Sequence, residues 1–256
     1  MGDRDHENVE ANEVAFFADF FHEGSYNPTA WRLRLNREVK CLRRAAAGHG
    51  LGRVLSIGCG DGQFELLLVR HADDVTALDL SAEAIAAAER KKAEANVENV
   101  HFRRASLAEL EWDEMYDTIV CIAFLHHVPP AELPILLEQA HAHLTPGGVF
   151  YSQDPNVWGF LRTVGHIVLG KKYDTYHSPD ERELDPAELV TLLRDAGFAR
   201  VQIGYNDLTL HPAQYVMPTS PGWLRYPCVP IDWIWCHSPL ARWASGFTAC
   251  ARKAAT

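Results

Sequence analysis

The feature that most narrows the folds open to this chain is Val54-Leu55-Ser56-Ile57-Gly58-Cys59-Gly60-Asp61-Gly62-Gln63-Phe64. A short β-forming run meets three alternate glycines, and a helix-patterned stretch follows. Without a Cβ, such a turn can reverse sharply and bring its backbone close to a ligand. The next helix, predicted from about Gln63 to Arg70, aims its first N–H groups at that space and favours an anionic group such as a carboxylate. The turn reads G-x-G-x-G, with Gln63 where the dinucleotide fingerprint G-x-G-x-x-G has its last glycine. About twenty residues beyond the glycines comes Leu78-Asp79-Leu80-Ser81. Asp79 ends the second predicted strand, where a carboxylate can accept both hydroxyls of a ribose. Leu80 offers an apolar surface to an adenine face. A plainer reading of Asp79 is a helix-capping acid, and of the glycines a purely structural turn.

Short apolar runs and helical patterns alternate around this turn. Strands are predicted at Val54 to Ile57, Val75 to Leu78, Val100 to Arg103, Tyr116 to Ile122 and Gly148 to Gln153. Between them lie helices at 82–95, with Ser81 as N-cap and Glu83 in the first turn, and at 133–144. Asp185-Pro186-Ala187-Glu188 opens a further helix that Gly197 is placed to close. Val201 to Tyr205 and Phe247 to Arg252 complete the strands. Such repetition predicts an α/β, doubly wound, seven-stranded and mostly parallel sheet with helices on both faces. Ahead of it, Trp31 to Arg44 reads as an amphipathic helix with a basic face. Arg32 and Arg34 there fit a solvated surface, or a helix closing over a ligand with an Arg or Tyr26 on its carboxylate. Residues 156–184 and the Trp- and Pro-rich 211–244 interrupt the rhythm and read as insertions forming a substrate cap.

Charge and cysteine usage exclude other classes. A formal net charge of -10 disfavours a phosphate-tracking surface, so no nucleic-acid partner is expected. The six cysteines show no C-x-x-C pair and no zinc spacing, which reads as reduced thiols in the cytoplasm and no metal site. The charged start Met1-Gly2-Asp3-Arg4-Asp5 lacks the apolar core of a signal peptide. No apolar run approaches the ~18 residues that span a bilayer.

Four segments occur in a specific order: IGCGDG at 57–62, LDLS at 78–81, YDTIVCIAFLHHV at 116–128 and LTPGGVFYSQDPN at 144–156. Over about residues 50–155 the chain resembles the class I S-adenosylmethionine-dependent methyltransferases, in particular the small-molecule group similar to ubiquinone/menaquinone-biosynthesis enzymes. The resemblance implies a Rossmann-like domain over 49–256 behind an N-terminal helical segment or lid at 1–48. It also implies S-adenosyl-L-methionine as cofactor and a small-molecule acceptor. Carried onto this chain, it has Gly58, Cys59, Gly60 and Gly62 wrapping the methionine part, Asp79 holding the ribose and Leu80 packing on adenine. The family often has Asp-Ala near the third strand, whereas this chain has Ala105-Ser106-Leu107, so Ser106 takes the adenine contact beside Leu107. The backbone carbonyl of Cys121 receives the methionine ammonium. Cys59 and Cys121 themselves read as small packing residues rather than reactive thiols.

Methyl transfer from a sulfonium is an in-line displacement that positioning alone accelerates strongly. A base is needed when an acceptor hydroxyl or acidic carbon must lose its proton, and histidine suits that task near neutral pH. His126 and His127 lie just past the fourth strand, at the edge where open sheets bind ligands. His126 is the first candidate base. His177 and His166 in the inserted segment are rivals, with Tyr173, Asp174 and Tyr176 available to orient a polar substrate. His141 and His143 read as surface residues. Trp223, Trp233, Trp235 and Trp243 fit core packing under a lid better than a dimer contact or a patch touching a lipid-like acceptor or membrane. Two other functions compete: a non-catalytic cofactor- or partner-binding protein on the same fold, and a nicotinamide-dependent oxidoreductase, which the absent glycine disfavours.

Overall fold

Strands buried on both faces must be covered on both faces, and the burial along this sheet dictates its layers. The computed structural model describes residue 12 and residues 27–46, 50–110, 112, 114–169, 181–211 and 219–255. In chain order these form α1 (Pro28–Ala45), β1 (Arg53–Ile57), α2 (Glu65–Leu68), β2 (Asp74–Asp79), α3 (Ala82–Ala95), β3 (Val100–Arg104) and β4 (Tyr116–Ile122). Then follow α4 (Leu133–Ala142), β5 (Leu144–Pro155), α5 (Phe160–Leu169), α6 (Pro186–Asp195), β6 (Arg200–Asn206), α7 (Cys228–Cys236) and β7 (Gly246–Arg252).

The sheet order is β3-β2-β1-β4-β5-β7-β6. β1 to β5 run parallel, and β7 is antiparallel to both of its neighbours. Alternate residues feed two cores. Leu55, Ile57, Ile119, Cys121, Phe150 and Phe247 pack under α4 and α6, together with Leu133, Leu137, Leu189 and Leu193. Val54, Ala77, Val120, Val149 and Tyr151 pack on the other face under α1 and α2, against Leu35, Leu42 and Leu68. The strand order reverses between β1 and β4. That switch point opens the crevice in which doubly wound sheets hold their ligands.

Local signals set the helix ends. The Ser81 hydroxyl accepts the Ala84 N–H at 3.1 Å, the Asp185 carboxylate accepts the Ala187 N–H at 2.8 Å, and Gly197 takes the left-handed conformation after α6. The predicted helix at about 63–70 contracts to four residues. The Asn99 amide takes the carbonyls of Val69 (2.9 Å) and Ala72 (3.2 Å), so the chain leaves for β2 instead of adding another turn.

The basic face of the first helix has a different role from solvation. Arg32 is exposed, but Arg34 is buried and its Nε donates to Asp207 Oδ2 at 2.8 Å. Arg37 Nη1 donates to Asp207 Oδ1 at 2.7 Å, its Nη2 pairs with Glu38 at 2.7 Å, and Tyr151 donates to Glu38 Oε2 at 2.7 Å. A two-residue shift along the helix therefore separates solvent from a buried latch between α1, β5 and the end of β6.

The interrupting segments meet at the carboxyl edge of the sheet. The Asn156 amide donates to the carbonyls of Arg242 (2.9 Å) and Ala244 (2.8 Å), and Asn156 bridges to Leu184. α7 is anchored by its one acid: buried Asp232 accepts the Thr209 N–H and hydroxyl, both at 2.6 Å. Its apolar residues turn outward instead. Trp233 is 63% exposed, as is Trp223 at 67%, so core packing does not describe these two tryptophans. Trp235 is half-buried. Among the described residues no helix is long and apolar enough to cross a membrane.

Burial alone would raise the Asp207 carboxyl, but Arg34 and Arg37 beside it hold it well below the usual carboxylate range. A carboxyl depressed on folding stabilises the protein above its unfolded value, and that stabilisation is lost as pH falls through the folded one. Asp207→Ala leaves two guanidiniums without their shared partner and should cost about 3–5 kcal/mol in urea unfolding at neutral pH. In Asp207→Asn the loss of stability on acidification below the usual carboxylate range should be shallower than in the parent.

Candidate functional site

The glycine turn and the acid are one structural unit. Gly58, Gly60 and Gly62 all have positive φ, at 74°, 53° and 76°. An added Cβ would lie 2.3 Å from the Phe124 ring at Gly58 and 2.6 Å from Phe102 at Gly62. The N–H groups of Gly58 and Cys59 donate to Leu78 O at 2.8 and 2.9 Å, stitching the turn onto β2. Asp79 closes it: Oδ2 accepts the Gly60 N–H at 2.7 Å and Oδ1 accepts the Ser81 N–H at 2.9 Å. Burial raises the Asp79 carboxyl, against the pull of these amides and the charge of His127. The helix-capping reading thus holds in part, because Asp79 tethers the residue that caps α3 as well as the turn.

The other sequence-derived contacts gather near this crevice. Leu80 is half-buried, with its carbonyl held by Arg104 Nε at 3.1 Å. Ser106 and Glu109 cap one another: the Ser106 N–H donates to Glu109 Oε2 at 3.2 Å, and the Glu109 N–H to Ser106 Oγ at 3.3 Å. The Ser106 hydroxyl keeps its own proton to donate, and Leu107 packs against the core cluster under α4. Cys59 and Cys121 are buried. Burial first, then the Glu65 charge for Cys59 and the Asp154 charge for Cys121, pushes both thiols well above their ordinary range. Such thiols are poor nucleophiles, which leaves their backbones as the useful part.

Across the switch point, the chain leaves β4 through Ala123, whose φ of 52° is unusual for a residue with a side chain. Its N–H is held by Gln153 O at 2.7 Å, and the following turn buries His126. His126 Nδ1 lies 3.0 Å from Asp154 Oδ1, which also accepts the His126 N–H at 3.3 Å. The opposite nitrogen, Nε2, lies 3.8 Å from Glu181 Oε1. The rings of His126 and His127 are 4.0 Å apart, centre to centre. Burial drives the Asp154 carboxyl up to about 7, against the Ser152 hydroxyl and the His126 N–H. Ligand-capable atoms of His126, His127 and Glu181 lie within 4.8 Å of one another, able to share a proton or hold a cation.

Sequence reasoning singled out His126 but missed Asp154 and Glu181. Asp154 was visible as the acid ending the fifth strand at the same edge. Glu181 belongs to an inserted segment, and no spacing links it to His126. His177, Tyr173, Asp174, Tyr176 and Tyr26 lie outside the described residues, and the side chain of His166 on α5 does too. His141 packs edge-on against Phe198 at 5.0 Å, and His143 faces Trp112.

Comparison with known proteins agrees with this geometry. Residues 54–148 match a family model described as a methyltransferase domain. The chain is 33% identical over 222 residues to a ubiquinone biosynthesis O-methyltransferase of Paracidovorax citrulli, covering 79% of this chain and 88% of that protein. A ubiquinone biosynthesis O-methyltransferase of Psychrobacter arcticus is 30% identical over 199 residues, covering 69% and 76%. Among solved structures, magnesium protoporphyrin IX methyltransferase from Synechocystis PCC 6803 with bound S-adenosylhomocysteine superposes with a TM-score of 0.61 at 18% identity, covering 97% of each chain.

The site fits S-adenosylmethionine, which is the cofactor. Three positive-φ glycines leave a backbone cradle, and a carboxylate stands beside it at the end of β2. Asp79→Ala removes a charge-assisted contact and should weaken binding of S-adenosylhomocysteine roughly tenfold or more in calorimetric titration. An unchanged affinity would place the nucleoside elsewhere. With kinship running over most of a relative's length, and with the cradle and acid where a sulfonium nucleoside needs them, the chain belongs to the class I S-adenosylmethionine-dependent methyltransferases.

Proposed function

We propose that this methyltransferase acts on a hydroxyl of a small molecule, with His126 as the base that removes the hydroxyl proton. The observation that carries this reading is the buried His126–Asp154 pair, standing across the switch point from the glycine turn. The O-methyltransferase names of the relatives support the choice of oxygen over nitrogen or carbon. The bound cofactor supplies an electrophilic methyl group on a sulfonium.

The chain's own residues supply the rest. Asp154 accepts the proton on Nδ1 and so leaves the Nε2 lone pair for the acceptor, as the orienting acid does in other base-acid pairs. The acceptor O–H proton would pass to Nε2 as the oxygen took the methyl group and the carbon–sulfur bond broke to release neutral S-adenosylhomocysteine, and the imidazolium formed would be balanced by the Asp154 carboxylate. Glu181 lies near enough to Nε2 to stabilise that charge or hold the hydroxyl in line. Residues 156–184 and 211–244 act as the cap that shapes the acceptor pocket, and the N-terminal segment at 1–48 acts as its lid. Their union through Asn156 supports the cap. The exposed Trp223 and Trp233 favour an acceptor with apolar surface. Six cysteines without a disulfide support action in the cytoplasm.

His126→Ala should lower kcat about a hundredfold or more, the usual scale of general-base catalysis, while S-adenosylhomocysteine affinity stays within about twofold. The pair titrates as a unit. With Asp154 raised to about 7, activity of the parent should rise with pH through neutrality as the carboxylate ionises, and this limb should be absent in His126→Ala. A His126→Ala enzyme with unchanged kcat and unchanged pH profile would remove the base from the reading.

A further inference from the structure

α1 carries six cations, Arg32, Arg34, Arg37, Lys40, Arg43 and Arg44, and a single acid, Glu38, in a chain whose formal net charge is -10. Arg34 and Arg37 are taken up by Asp207 and Glu38. The other four are exposed. Steps of three and four residues put positions 29, 32, 36, 40 and 43 on one side of the helix, with Arg44 beside them. Leu35, Val39 and Leu42 turn into the core instead. The outward stripe holds no acid, and its like charges repel one another unless an anion meets them.

This stripe begins at an apolar surface. A Cβ added at Gly222 would lie 2.2 Å from the hydroxyl of Thr29, the first residue of the stripe, and Asn27 Nδ2 donates to Ser220 O at 3.0 Å. The short turn held there, Gly222–Arg225, buries Arg225 against the Ser220 hydroxyl and leaves Trp223 and Leu224 exposed. The chain runs on through exposed Tyr226, Val229, Ile231, Trp233 and Ile234. Asp232, the one charged residue of α7, faces inward to Thr209. An apolar, charge-free surface therefore adjoins a row of cations. Nucleic acid would neutralise the cations but leave Ile231 and Ile234 in water. Anionic lipid satisfies both halves, because headgroup phosphates meet the cations while tryptophan and aliphatic side chains enter the interface below them.

We propose that the outer stripe of α1 and the surface from Trp223 to Ile234 together form a docking face for an anionic lipid bilayer. The protein rests on the interface and does not span it. Either half alone gives only marginal adhesion, and the pair supplies the two signals that a stable peripheral contact requires. The face is independent of the base assigned to His126. It opposes the net charge of the chain, so an anionic bilayer attracts this side of the molecule and repels the remainder.

The test is co-sedimentation of the full chain with vesicles of phosphatidylcholine alone and of phosphatidylcholine mixed with phosphatidylglycerol. Binding to the mixed vesicles should be about tenfold or more tighter, weaken as salt is raised, and shift tryptophan emission to the blue. Arg32→Glu with Lys40→Glu should reduce it about tenfold or more, as should Trp223→Ser with Trp233→Ser. Arg103→Glu, an exposed cation on β3, should leave it unchanged. Urea unfolding and S-adenosylhomocysteine affinity of the Arg32→Glu, Lys40→Glu chain should match the parent, which separates a lost surface from a lost fold. The proposal is overturned by failure to sediment with either vesicle, by equal binding to both, or by binding that neither pair of substitutions weakens. Self-association without vesicles that Trp223→Ser with Trp233→Ser abolishes would likewise overturn it, and would assign the face to a second copy of the chain.

Discussion

The grip of Asp79 on the glycine turn is the contact on which the rest of the site depends. Its two oxygens take the Gly60 and Ser81 N–H groups, so a single carboxylate fixes the turn after β1, the end of β2 and the start of α3 together. Each glycine can adopt its left-handed geometry without penalty, but nothing in glycine itself selects one such geometry among many. The carboxylate does. It also sets a carboxylate at the carboxyl edge of the sheet, beside the switch point.

Three other buried carboxylates show how environment divides one chemical group into different roles. Asp207 lies between two guanidiniums and is held ionised, so it works as a permanent latch for α1. Asp154 has a histidine and a hydroxyl rather than a fixed cation, and burial raises it to about 7. Glu65 has a serine hydroxyl, its own N–H and two acidic neighbours, and burial raises it too to about 7. The first contributes to stability because its charge is neutralised within the fold. The other two stay close to ionisation at neutral pH, the range in which a proton is most readily gained or lost.

Much of the architecture was legible because it repeats locally. The seven strands, the Ser81 and Asp185 caps and the glycine turn each follow from short-range rules of periodicity, capping and turn chemistry. Length in the α2 region was misread because Asn99, about thirty residues away, takes the carbonyls that would have continued the helix. Arg34 was read as solvated because a basic helical face ordinarily is, and the acid that buries it, Asp207, sits 173 residues on. Trp223 and Trp233 were expected inside on hydrophobicity alone. Trp233 faces outward because its neighbour Asp232 turns inward to accept from Thr209 and Leu210, whereas Trp223 lies on a separate short turn.

By itself the sequence determined the sheet, its switch point, the glycine turn and the acid at the end of β2, because each is encoded in a contiguous run whose chemistry is complete within a few residues. Only the tertiary structure decided which charges meet. Asp154 reaches His126 across adjacent strands, Glu181 enters from an inserted segment, and Ser56 finds Glu65 around the glycine turn. A carboxylate's ionisation depends on burial and on partners brought from far along the chain, and no local pattern carries that information.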